Sequence, residues 1–316
     1  MAESINDDDV DFQPKQILVP VDFSGPSGKA LKYAHALAEG FGGIIHLVHI
    51  VEPVPVLVGI GAAPVPVPVD DPKTVAELER HLVKLAKELP STFAGRTIVR
   101  PGWAVDEVTA VAKELGVDLL VLATHGHSGI GRILFGSTAE GIVRKAPCDV
   151  LVVRPDEREF IKTAKTPEKR FTFFLKSILV PIDFSNVSRK ALGYAITFAL
   201  RLKARLICLH VVEVLPYAEW DAALTSQVEL IRKAVIEETQ RTLQDFIGER
   251  TVDIPREDVL TFGSASREII QIAENRKVDL IMMGAHGKAG PGRFLLGGTT
   301  ERVLRHASAP VLVVKK

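Results

Sequence analysis

Short apolar, β-branched runs alternate along this chain with stretches in which apolar residues recur every three or four positions, which predicts strands alternating with helices. In the first half the strand candidates are Ile17–Val21, Ile44–Ile50, Thr97–Arg100, Leu119–Ala123 and Val150–Val153. Ala30, Leu31, Ala34, Leu37, Ala38 and Phe41 fall on one face of the first helix. Near-continuous apolar strands such as Leu119–Ala123 suit a parallel sheet buried on both faces. The pattern then starts again. Lys15-Gln-Ile-Leu-Val-Pro-Val-Asp-Phe-Ser24 returns as Lys176-Ser-Ile-Leu-Val-Pro-Ile-Asp-Phe-Ser185, and the same offset of 161 carries His49 to His210, Gly126 to Gly287, Gly136 to Gly297 and Val150 to Val311. Two copies of one α/β domain are expected, each doubly wound around a five-stranded parallel sheet.

Length agrees with this, since 316 residues exceed one typical domain. The expected layout is a disordered acidic segment over 1–14, a first domain over 15–155, a charged linker over 156–175, ordered only in part, and a second domain over 176–316. With 39 basic and 39 acidic residues the chain has no net charge, so nothing favours nucleic acid or an anionic membrane as partner. Two cysteines and an acidic start without a secretory pattern point to the cytoplasm. The apolar stretch Val54–Val69 is broken by four prolines and is too short for a membrane span. It is expected either to pack over its own domain or to act as a lid or partner surface.

In sheets of this kind ligands bind at the carboxyl ends of strands. After the first strand of each copy come Pro20-Val-Asp22 and Pro181-Ile-Asp183, which place a carboxylate at a strand tip. After the fourth come glycine-rich loops, Ala123 to Thr138 and Gly284 to Thr299, that lead into a final helix. Glycines let backbone approach phosphate oxygens, and a helix N-terminus adds partial positive charge. The hydroxyls of Ser137, Thr138 and Thr299 could cap that helix or meet phosphate.

Taken together, Leu-Val-Pro-x-Asp-Phe-Ser, a histidine near the end of the second strand, and Gly-x-x-Gly followed after nine residues by Gly-Ser/Thr resemble the ATP-binding branch of the universal stress proteins. The resemblance implies Rossmann-like domains of the adenine nucleotide alpha hydrolase-like kind. It implies ATP as ligand, with any Mg²⁺ bridging its phosphates. Carried over residue by residue, the first site is Pro20, Asp22, Ile50, Ala123, Gly126, His127, Gly136, Ser137 and Thr138. The second is Pro181, Asp183, Val211, Gly284, Gly287, Lys288, Gly297, Gly298 and Thr299. Each copy departs from the pattern once. Ala123 replaces a glycine, with a methyl expected to crowd the ribose, and Gly298 replaces a hydroxyl residue.

Other motifs fall away. Gly25-Pro-Ser-Gly-Lys-Ala30 misses a P-loop at both ends, and His49, His125, His210 and His286 lack zinc-helix spacing. Arg132 and Arg293, within the loops, rank below the glycines as phosphate contacts. The expected function is a regulatory, ATP-binding stress protein of the cytoplasm that is not a strong catalyst. A weak ATPase or phosphotransferase, or a structural interaction protein with vestigial pockets, are the alternatives. The last strand of each copy, 149–153 and 310–314, is an edge that invites pairing. In the family it resembles these strands pair domains, so an intramolecular pseudo-dimer is expected, with a further homodimer open.

Overall fold

The computed structural model describes residues 11–56, 65–67, 71–124, 135–155, 157–164, 170–213, 225–248, 251, 253–287 and 296–315. The first copy runs β1 (Gln16–Pro20), α1 (Gly25–Phe41), β2 (Ile44–Val51), β3 (Val54–Val56), β4 (Val65–Val67), α2 (Pro72–Ala86), β5 (Ala94–Pro101), α3 (Ala104–Glu114), β6 (Leu119–Ala123), α4 (Ser137–Lys145) and β7 (Asp149–Val153). A linker hairpin follows, β8 (Ile161–Thr163) and β9 (Phe171–Phe173). The second copy runs β10 (Ser177–Pro181), α5 (Asn186–Leu202), β11 (Arg205–Val212), α6 (Thr225–Ile247), β12 (Arg256–Phe262), α7 (Ala265–Asn275), β13 (Leu280–Gly284), α8 (Gly298–His306) and β14 (Val311–Val314).

Within each copy five strands pair in parallel, in the orders β5-β2-β1-β6-β7 and β12-β11-β10-β13-β14. Alternate residues of the strands face opposite layers. Ile17 and Val19 join Ala34, Leu37 and Leu82 in a cluster with α1 and α2. Leu18 instead joins Val111 and Val143 in a cluster with α3 and α4. Connections therefore leave β1 and β6 toward opposite faces, and a crevice opens where these two strands end. The second copy does the same at β10 and β13.

The two sheets are one. β7 and β14 pair antiparallel, with Leu151 opposite Leu312, so the expected edges lie at the middle of a ten-stranded sheet. Its outer edges are β5 and β12. The expected pseudo-dimer thus has a continuous backbone seam, and both apolar clusters cross it.

The described parts of two irregular segments pack against the folded copies. Of the acidic start, residues 11–14 are described: Phe12 is 3% exposed and its ring packs edge-on to Phe41 of one copy and Tyr194 of the other. The described linker residues include an antiparallel pair, β8 with β9, docked on α1. There Glu39 accepts the backbone N–H groups of Arg170 and Phe171, and the Phe160 ring meets Tyr33 edge-on. Gly40 makes room for this: a Cβ there would lie 2.7 Å from Phe173 Cε2. Of the apolar stretch 54–69, the described residues form the β3–β4 hairpin, whose Val54, Val56, Val65 and Val67 are 43–52% exposed. They are not buried over their own domain. No helix among the described residues is long and apolar enough to cross a membrane.

Candidate functional site

The strand ends carry the carboxylates on a strained turn. Phe23 and Phe184, each next after the aspartate, have φ of 60° and 62°. This left-handed conformation costs a bulky residue about 1–2 kcal/mol. Packing holds it there. The Phe184 ring lies 4.4 Å from His210 and the Phe23 ring 4.8 Å from His49. Each imidazole is pinned in turn by Nδ1, 2.7 Å from the carbonyl of Ile182 or Val21, the residue just before the aspartate. His49 and His210 are therefore hydrogen-bonded supports of the turn.

Asp183 Oδ1 accepts from the Ser185 N–H at 3.1 Å and its hydroxyl at 2.6 Å, and Asp22 makes the same pair with Ser24 at 3.0 and 2.5 Å. Both serines are N-caps, of α5 and α1. Each aspartate thus holds the turn that follows it through one oxygen. Oδ2 of Asp183 faces the glycine-rich loop: a Cβ added at Gly287 would lie 2.6 Å from it. Only glycine permits that approach.

Gly297 caps α8 and its N–H donates to Ala285 O at 2.8 Å, as Gly136 caps α4 and donates to Thr124 O at 3.1 Å. The first-turn N–H groups of both helices have no acceptor within the helix. With glycine as the cap, Ser137, Thr138 and Thr299 stand inside their helices and are not the capping residues. In the second copy these pieces enclose a cavity of about 770 Å³. It is lined by Pro181, Asp183, Val211, Gly284, Gly287, Gly297, Gly298 and Thr299, while Lys288 lies outside the described residues. In the first copy Pro20, Asp22, Ile50, Ala123, Gly136, Ser137 and Thr138 hold the equivalent places, and Gly126 and His127 lie outside the described residues, as do His125, Arg132 and Arg293.

The two departures from the motif have different local consequences. A Cβ at Gly284 would meet Val187 Cγ1 at 2.9 Å, and by the repeat the position of Val187 is taken by Pro26 in the first copy, where Ala123 stands in place of the glycine. Gly298 opens α8, and a Cβ added there meets nothing within 4 Å. Gly298→Ser is therefore expected to be accommodated and to stabilise the chain by about 0.5 kcal/mol through reduced backbone entropy. A lowered Tm in thermal denaturation would contradict this.

Several lining residues were not picked out from the sequence: Thr300, whose hydroxyl donates to Gly284 O at 2.9 Å, and Leu209, Ala265, Ile269 and Met283, which make the apolar wall. Both cysteines are buried, and burial pushes their thiols up to about 12, well away from the thiolate form that a nucleophile needs. No cluster of three or more metal-ligating side chains occurs among the described residues.

The model of the universal stress protein family matches residues 14–154 and 175–315, which are the two copies. The chain belongs to that family. A universal stress protein of Methanocaldococcus jannaschii is 40% identical over 144 residues, covering 45% of this chain and 82% of its own. A universal stress protein of Mycolicibacterium smegmatis is 26% identical over 312 residues, covering 95% of this chain and 96% of its own. The latter spans both universal stress protein domains. Among solved structures, the universal stress protein of Archaeoglobus fulgidus superposes with a TM-score of 0.61 at 20% identity, covering 96% of this chain and 99% of its own, which shows the shared fold.

Proposed function

We propose that this universal stress protein binds ATP in the cleft of each copy and acts as a regulatory protein of the cytoplasm, with occupancy biasing its conformation or assembly. One observation carries the reading: in the second copy a cavity of about 770 Å³ is lined by both a carboxylate, Asp183, and a glycine-capped helix N-terminus. Its size lies in the range of about 300–1,000 Å³ usual for small-molecule sites. A carboxylate can accept hydrogen bonds from ribose hydroxyls, the helix end and the glycine backbone suit the phosphates, and the strand end at Val211 offers main-chain groups to the base. Mg²⁺, where it binds, would bridge phosphates and retain water, which requires few protein ligands. The buried, unpaired Cys148 and Cys208 suit a reducing compartment.

Calorimetric titration of the full chain with ATP, with and without Mg²⁺, tests the reading. Two sites of unequal affinity per chain are expected. Absence of binding at millimolar ATP would remove the proposal. Sustained phosphate release abolished by one cleft substitution would replace it with turnover.

A further inference from the structure

The seam reaches both ends of the two helices that open on the clefts. By the repeat, Glu140 corresponds to Glu301, Arg144 to Arg305, Val143 to Leu304 and Arg154 to Lys315. Near the helix starts, Arg305 Nη2 lies 2.6 Å from Glu140 Oε2 of the other copy, and Arg144 Nη2 lies 3.6 Å from Glu301 Oε2. Each arginine also pairs with the glutamate one turn back on its own helix, at 3.0 Å in α4 and 3.1 Å in α8. Four charges therefore close into a ring across the pseudo-twofold axis. At the far ends, Lys315 Nζ donates to the carbonyls of Val143 at 2.7 Å and Arg144 at 3.3 Å, and the Arg154 guanidinium donates to Leu304 O. Each cleft helix is thus held at both ends by cations of the other copy.

Glu140 and Glu301 stand in the first turn of their helices. A carboxylate there interacts well with its own helix terminus but repels an anion bound at that terminus. The arginine from the other copy offsets that repulsion, and the cation at the carbonyl end supports the helix dipole. The ring residues are 19–40% exposed, so each pair contributes little to folding. Their larger effect falls on the field felt by a bound polyphosphate, which carries several charges of one sign.

We infer that each nucleotide site is completed electrostatically by the other copy: Arg305 is a positioning residue for the first cleft, acting through Glu140, and Arg144 for the second, acting through Glu301. This rests on the nucleotide reading above. It makes the two sites a coupled pair.

The test uses the full chain carrying Asp183→Ala, which weakens the second cleft, so that ATP titration reports the first. Adding Arg305→Gln is expected to raise the Kd of the first cleft about three- to tenfold, the effect of one charge acting over roughly two helix turns in a partly screened setting. Arg305→Lys should restore most of the affinity. Adding Glu140→Gln to the Arg305→Gln chain should also restore it, because the repelling charge is then gone; a purely structural role of Arg305 would not be repaired by removing its partner. First-cleft affinity unchanged within twofold by Arg305→Gln, or a loss that Glu140→Gln fails to repair, overturns the inference while leaving the nucleotide reading in place. Failure of the unaltered chain to bind ATP removes that reading and this inference with it.

Discussion

Asp183→Ala is expected to weaken ATP binding in the second cleft by about 10- to 100-fold, leaving one titratable site per chain at moderate nucleotide concentration. A hydrogen bond to a charged group contributes about 1.5–3 kcal/mol, and each 1.4 kcal/mol is a factor of ten. A second effect adds to the first. Asp183 Oδ1 holds the N–H and hydroxyl of Ser185, the residue that caps α5. Without the carboxylate the strained Phe184 turn loses one of its restraints, and the cap geometry loosens. Asp183→Asn keeps an acceptor for Ser185 while removing the charge, so it separates the contributions. It should preserve thermal stability and still lose most of the affinity. Calorimetry showing two unchanged sites in Asp183→Ala would exclude the second cleft as a nucleotide site.

A comparably large effect is expected on folding stability as the pH rises from 5 to 9. Glu157 sits at the start of the linker with its side chain fully buried (0% exposed), 3.6 Å from Lys29 Nζ. Burial pushes its carboxyl from an ordinary 4.5 up to about 8, against the pull of Lys29 and Arg154. Between those values the folded chain retains a proton that the unfolded chain has released. Stability from this group is therefore complete below about pH 4.5 and lost as the pH passes 8, for a total of about 3–5 kcal/mol. Burial also raises the Asp149 carboxyl, with the same sign, so a variant is needed to isolate Glu157. Glu157→Gln cannot ionise. Its urea-unfolding free energy should fall less between pH 5 and 9 and exceed that of the unaltered chain at pH 9. Parallel curves for the two proteins would rule the explanation out.

The parallel sheets and the helix stripes were legible in the sequence because burial on both faces demands near-continuous apolar strands, and Leu119–Ala123 leaves little choice. The clefts were legible for a related reason. Carboxylate and glycine recur at equal offsets on strand ends, and the structure brings Asp183, Gly284, Gly287 and Gly297 around one cavity. What escaped depends on contacts between distant residues. Phe12 reads as one aromatic in an acidic run until Tyr194 and Phe198 of the other copy cover it. Glu140 and Arg144 read as an ordinary pair on a helix surface, since nothing local announces Arg305. Glu157 reads as a linker charge, although Lys29 draws it inside. Phenylalanine carries no intrinsic preference for the left-handed backbone that Phe23 and Phe184 adopt, and packing against histidine together with the aspartate–serine hydrogen bonds holds it there.

The central antiparallel pairing also sets an order of events during synthesis. β7 emerges from the ribosome well before β14, its partner, because the entire second copy must be translated between them. At about 5–20 residues per second that interval lasts roughly 10–30 s. Throughout it the first domain presents Asp149-Val-Leu-Val-Val153 as an open parallel-sheet edge, able to accept the same strand from a neighbouring nascent chain. Delivery of β14 by its own chain must outrun that encounter.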